Sequence, residues 1–252
     1  MNSTTQDVVT KVPEVTLGFW IIKILATTLG ETGGDAVSMS MNLGYLISTG
    51  IFALFFIVAV IVQASAKQFH PILYWSTIIA TTTVGTTLAD FSDRSLSIGY
   101  AGGTILLVTL LLMSLFIWYR ALGSVAMDSV SSPKSEAFYW ITIMFSQTLG
   151  TALGDWTADT AGLGYEGAAL IFGSLLAVIA LAYFYTRISH VVLFWAAFIL
   201  TRPLGAVVGD FLDKPLSQGG LELSRYSATV ALLASIGLFI YFFPQRAAKQ
   251  NI

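Results

Sequence analysis

The chain has 252 residues, 56% of them hydrophobic and 10% charged, with a mean hydropathy of +0.78. A soluble domain ordinarily carries about a quarter charged residues, so this composition calls for a bilayer as solvent. The net charge of −2 is uninformative by itself, but no basic patch for nucleic acid stands out beyond ordinary loop charges, and the lack of cysteine excludes disulfides and thiolate metal ligands.

In chain order, a polar segment, Met1 to Val15, leads into an apolar run that contains Lys23 and Glu31. Those charges do not fit a cleaved signal peptide, so the run is expected to be retained. Eight runs long enough to cross about 30 Å of hydrocarbon as helices follow one another. They cover 16–35, 44–64, 71–90, 98–119, 137–155, 165–186, 190–210 and 223–243.

Four segments align along the chain: FWIIKILATTLGETGGD from Phe19, YWSTIIATTTVGTTLAD from Tyr74, YWITIMFSQTLGTALGD from Tyr139 and FWAAFILTRPLGAVVGD from Phe194. Trp20, Trp75, Trp140 and Trp195 hold the register, as do Gly30, Gly85, Gly150 and Gly205, and then Asp35, Asp90, Asp155 and Asp210. Every series steps by 55, 65 and 55 residues, and the ten extra residues fall in the polar stretch GSVAMDSVSSPKSE, which reads as a loop between two halves.

Each copy holds two runs, so all four copies enter the membrane in one direction. The expected fold is all-α: eight transmembrane helices as four parallel-oriented helical hairpins with pseudo-symmetry about the membrane normal. It forms one domain over 1–252, with repeats at about 16–66, 71–120, 136–187 and 191–243. Loops on the side of the termini hold seven cations and the opposite loops three, which predicts cytoplasmic termini. Ten of the fourteen acids lie on the opposite side. The repeated tryptophans start the odd helices and read as interfacial anchors, with ligand stacking as the alternative.

The acids carry the chemistry. Thr83, Thr86, Asp90 and Asp93 share one helical face, and Thr148, Thr151, Asp155 and Asp159 are read as its counterpart. Copy four has Asp210 and Asp213, and copy one has Thr27, Thr28, Glu31 and Asp35. Charged groups at this depth are expected to face a bundle interior or vestibule rather than lipid. The adjacent glycines are expected to allow close helix packing through small-residue spacing, and also to break each helix before its aspartate, adding backbone carbonyls to a site of carboxylate and hydroxyl oxygens. Such oxygens suit hard cations, so Asp35, Asp90, Asp155 and Asp210 are the candidate metal ligands. The alternative is that the acids are hairpin-turn residues exposed to water.

Two cations, Lys23 and Arg202, lie inside odd runs. Lys23, Thr27 and Glu31 form a stripe at successive turns, so Lys23 is expected near Glu31 or an acid of a neighbouring helix. The pair reads as structural pairing, as a charge centre with Glu31, or as a contact for an anionic substrate.

The four aromatic-Trp pairs, the TLG-like triplets, the GD or AD pairs and the opening KVPEVTLGFWIIK resemble a family of bacterial membrane proteins with four tandem two-span repeats of unknown function. The resemblance implies a bacterial inner-membrane location and brings no substrate.

The leading expectation is a transporter or channel for a hard inorganic cation, with export of a Mn²⁺- or Mg²⁺-like metal as the example, through the acidic outward site. The alternatives are transport of an anionic or amphipathic solute recognised by Lys23 and Arg202, and a scaffold or sensor that transports nothing. No enzymatic activity and no cofactor beyond a bound divalent or monovalent cation are expected. The expected partners are the lipid bilayer, a small ion or solute, and a second copy of the chain.

Overall fold

The structure is a computed structural model that describes residues 9–95 and 99–249. The segment before Val9, including Asp7, and the expected start of the fourth run at Ile98 lie outside the described residues.

Eight long helices run through the described residues: α1 (Leu17–Asp35), α2 (Gly44–Ser65), α3 (Pro71–Asp90), α4 (Tyr100–Leu122), α5 (Pro133–Asp155), α6 (Gly164–Tyr185), α7 (His190–Asp213) and α8 (Arg225–Phe242). Local chemistry sets several ends. Thr16 caps α1 by accepting from the Phe19 amide, and Ser132 caps α5 ahead of Pro133 in a reciprocal box with Ser135. Gly123, at φ 76°, closes α4 in the left-handed conformation that glycine adopts at no steric cost.

The odd helices form a closed inner ring in the order α1, α3, α5, α7 and back to α1. Each even helix leans from outside on the inner helix of the next copy: α2 on α3, α4 on α5, α6 on α7 and α8 on α1. The even helices keep Leu54, Phe55, Leu112, Phe116, Leu170, Val178 and Val230 exposed, a surface that only lipid or another apolar partner can cover.

Five helices, α2, α4, α6, α7 and α8, are long and apolar enough to cross a membrane. The other three carry too many hydroxyls, glycines and acids to meet that measure. Their polar residues are nonetheless buried, because they face the rest of the ring.

Glycine lets the ring close. A Cβ on Gly30 would overlap Thr82 of the next copy, one on Gly85 would meet Gln147, one on Gly150 would overlap Arg202, and one on Gly205 would overlap Thr27. The four partners share one register position, so the same small-residue notch repeats at all four interfaces and brings the backbones close. Through these notches Thr82 donates to the Ala26 carbonyl and Thr27 to the Thr201 carbonyl, both at 3.2 Å.

The structure corrects two sequence expectations here. The helices do not break before the aspartates. Helices α1, α3 and α5 run unbroken through Asp35, Asp90 and Asp155, and each then widens into one π-helical turn, at Ala36–Ser40, Phe91–Ser95 and Trp156–Thr160. The glycines pack against neighbouring helices and thus serve contact rather than breakage. Three of the four repeated tryptophans are not surface anchors either: Trp75, Trp140 and Trp195 are buried with Phe19, Tyr74, Tyr139 and Trp118 in an aromatic cluster that fills the terminal-side end of the ring, and Trp20 packs against it half-buried.

A short antiparallel pair, β1 (Val9–Pro13) with β2 (Ala247–Lys249), lies beneath that cluster and joins the two ends of the chain. Lys11 ties it down through Glu136 at 2.7 Å and the Ala64 carbonyl at 2.8 Å.

Candidate ion-binding site

Successive turns of the inner helices stack the ring in layers. From the terminal side these are Phe19, Tyr74, Tyr139 and Phe194; then Lys23, Ile78, Ile143 and Phe198; then Thr27, Thr82, Gln147 and Arg202; then Glu31, Thr86, Thr151 and Ala206; and last Asp35, Asp90, Asp155 and Asp210. The order runs from aromatic, through layers that hold Lys23, Arg202 and Glu31, to acidic.

The four aspartates of the last layer are 1–4% exposed. Ring order sets Asp90 between Asp35 and Asp155, and Asp210 between Asp155 and Asp35. They are therefore inward groups of a bundle, and a role as water-exposed turn residues does not describe them.

Two cations hold this layer together. Arg94 reaches Asp90 at 2.9 Å and Asp155 at 3.6 Å. Lys214 reaches Asp35 at 2.8 Å and Asp210 at 3.0 Å. Arg94 and Lys214 occupy the same register position, filled by Met39 in copy one and Asp159 in copy three. Each cation joins its own copy's aspartate to that of the following copy, so a two-fold arrangement of charge lies on a four-fold arrangement of helices. Burial works against the charge on Lys214, but the carboxylates of Asp210, Asp35 and Asp213 outweigh it and hold the ammonium well above its usual range. Asp90 and Asp155 likewise raise Arg94 against the effect of burial.

The second acids part company. Asp213 pairs with Arg225 at 2.9 Å, and Arg225 also lies 3.8 Å from Asp35. Asp93 is buried against Gly103 of α4. Asp159 is exposed, because it lies one residue out of register with Asp93 and Asp213. Reading it as their counterpart was an error of spacing: the residue at their position in copy three is Ala158, which is buried.

Thr28, Thr83 and Thr148 are also not part of the acidic layer. Their hydroxyls donate to the carbonyls of Ile24, Ile79 and Met144, one turn back on their own helices. They sit seven residues before the aspartates, a rise of about 10 Å.

Beneath the acids the axis is closed. Arg202 Nη2 donates to Glu31 Oε2 at 2.9 Å, to Thr86 Oγ1 at 2.6 Å and to Thr151 Oγ1, touching the three other inner helices from α7. Lys23 meets neither Glu31 nor, among the described residues, an acid of a neighbouring helix, the two partners expected for it. Its ammonium lies 4.0 Å over the Phe198 ring and 3.4 Å from Thr201 Oγ1. Arg202 and Lys23 are both 0% exposed, so solvent does not reach the axis at either level.

Glu31, Asp35 and Asp210 bring carboxylate oxygens within 4.8 Å of one another, a spacing that could hold a metal ion. Asp90 and Asp155 are not in that trio. Lys214 contacts two members of the trio, Asp35 and Asp210. Sequence reasoning missed the bridging roles of Arg94 and Lys214. Their shared register position was the signal that could have shown them.

No curated protein and no solved structure matches the chain. The family described as Repeat of Unknown Function (DUF347) matches it four times, at residues 18–69, 73–123, 138–189 and 193–247. Four matched copies in tandem, over most of its length, show that the chain belongs to that repeat family.

Proposed function

We propose that the protein is a transporter of a hard inorganic cation, a divalent metal of the Mn²⁺ or Mg²⁺ type being the best fit, in the inner membrane of a bacterium. All eight helices cross the bilayer, both termini lie in the cytoplasm, and the acidic layer opens to the opposite face. The chain is not an enzyme in this reading.

One observation carries it. Four buried aspartates, one from each copy, share a layer in which, among the described residues, Arg94 and Lys214 each join two of them, while Arg225, paired with Asp213, lies 3.8 Å from Asp35. With Glu31 matched by Arg202 and Asp213 by Arg225, that layer keeps two uncompensated negative charges when its acids are ionised. Buried charge of that kind calls for a counter-ion. Arg94 and Lys214 act as tethered stand-ins for the transported ion, which displaces them as it binds. Because Arg202 closes the axis, the protein works as a carrier with alternating states and not as an open pore.

Transport of an anionic or amphipathic solute recognised by Lys23 and Arg202 has less support. Both side chains are fully buried, and Arg202 is already engaged by Glu31.

Flux of Mn²⁺ and Mg²⁺ into proteoliposomes tests the reading. Asp35→Asn and Asp155→Asn should abolish a flux that the parent protein supports. A flux that survives in every aspartate variant, or no flux of any cation in the parent, overturns it.

A further inference from the structure

Two turns below the acids, the layer containing Gln147 and Arg202 is left incompletely bonded. In copies one and two a threonine at this register position donates to the preceding copy's backbone, Thr27 to Thr201 and Thr82 to Ala26. Copies three and four replace that threonine with Gln147 and Arg202, and the seam stops. Gln147 is fully buried, yet among the described residues neither Nε2 nor Oε1 finds a partner. Arg202 spends Nη2 on Glu31, Thr86 and Thr151, while its Nε and Nη1 remain unpartnered. Ser146 Oγ, next to Gln147 in sequence, also lacks a partner.

Charge points the same way. Lys23 stands one layer below, bonded only to Thr201 at 3.4 Å and lying over Phe198, with no carboxylate in salt-bridge range among the described residues. Glu31 offsets Arg202, so this buried zone carries one excess positive charge when Lys23 is protonated. The unsatisfied groups are mostly N–H donors: two on the Gln147 amide, one on Arg202 Nε and two on Nη1. Buried polar groups left this way are costly, and each asks for an unseen water or ion. Gln147 Oε1 and Ser146 Oγ are left over as acceptors, so the unpartnered donors outnumber them, and water alone would not supply the negative charge that the zone lacks.

We infer that Lys23, Gln147 and Arg202 form a buried site for a small inorganic anion of halide type, in the middle of the inner ring. The anion accepts from the Gln147 amide and the free edge of the guanidinium and balances the Lys23 ammonium. The site does not depend on what the acidic layer binds, so a failed cation-flux assay leaves it standing.

The test uses the full chain purified in detergent without divalent cations, and follows its unfolding in sodium chloride, sodium bromide and sodium gluconate at matched ionic strength. A ligand that binds only the folded state raises Tm in a saturable way. The expected result is a saturable rise in chloride and bromide over gluconate, lost in Gln147→Leu and in Lys23→Met and kept in Asp155→Asn. Equal Tm in the three salts overturns the inference. So does a halide rise that Gln147→Leu leaves intact, or one that Asp155→Asn abolishes. Should neither the Gln147 nor the Lys23 variant fold, bromide anomalous scattering from crystals of the parent protein decides: a peak beside Gln147 and Arg202 supports the site, and its absence overturns it.

Discussion

Arg202 and Glu31 are 171 residues apart in the chain, and their side chains meet at 2.9 Å on the axis of the inner ring, both almost wholly out of water. Removing one member of such a pair strands the other charge, at a cost of about 3–5 kcal/mol. Glu31→Gln and Arg202→Met should each destabilise the protein on that scale. The double variant should lose clearly less than the sum of the two. Unfolding in detergent, read as a double-mutant cycle, checks this, and simple additivity would show that the pair is not coupled.

The small-residue notches predict a contrast among glycines. Gly30→Ala and Gly205→Ala force a Cβ into Thr82 and Thr27, and should cost about 1–3 kcal/mol by overpacking. Gly50→Ala and Gly173→Ala on the outer helices meet open space and should leave Tm unchanged or slightly raised.

Removing the tethered cation should expose what the acidic layer prefers. Lys214→Met leaves Asp35 and Asp210 without the ammonium now 2.8 Å and 3.0 Å away. The variant should melt below the parent in the absence of divalent ions and gain more Tm than the parent when Mn²⁺ is added. An equal or smaller gain would mean that Lys214 does not compete with a metal.

Asp93 gives a pH signature. Burial pushes its carboxyl above the ordinary aspartate range, against the pull of Arg94. The folded state therefore holds this proton more tightly than the unfolded chain does. Its contribution is full at pH below the ordinary aspartate value and is lost as pH rises through the higher folded value. Asp93→Asn should flatten that part of the profile, seen as Tm against pH from about 3 to 7.

The lack of cysteine makes a topology map direct. Single cysteines at Met41, Thr160 and Gln218 should react with an impermeant thiol reagent from one side of the membrane, and those at Gln68 and Ile188 from the other. A mixed pattern within either group would break the parallel arrangement of the copies.

The repeat, the notch glycines and the inward aspartates were legible because each depends on spacing within one copy. Fixed steps of 55 and 65 residues put Gly30, Gly85, Gly150 and Gly205 at one depth whatever the ring order. Pairing across copies was not legible. Lys23 and Glu31 share a helical stripe, yet Arg202 reaches Glu31 because α7 closes the ring against α1, a neighbour relation that parallel repeats do not reveal. Asp159 misled for a related reason: a helical face tolerates steps of three or four, while the repeat register distinguishes them. The tryptophans resemble interfacial anchors in any hydropathy plot, and only the packing of Trp75 on Phe19 and of Trp195 on Trp118 shows that they turn inward.

The lean of each outer helix onto the following copy means that no hairpin is a finished object. Helices α1 and α2 folded alone would leave α2 without its seat on α3 and α1 without the cover of α8. Severing the chain between Gly123 and Ser132 would part α4 from α5, so each half would offer a bare flank shaped for the other. Two such fragments made together should find one another through those flanks.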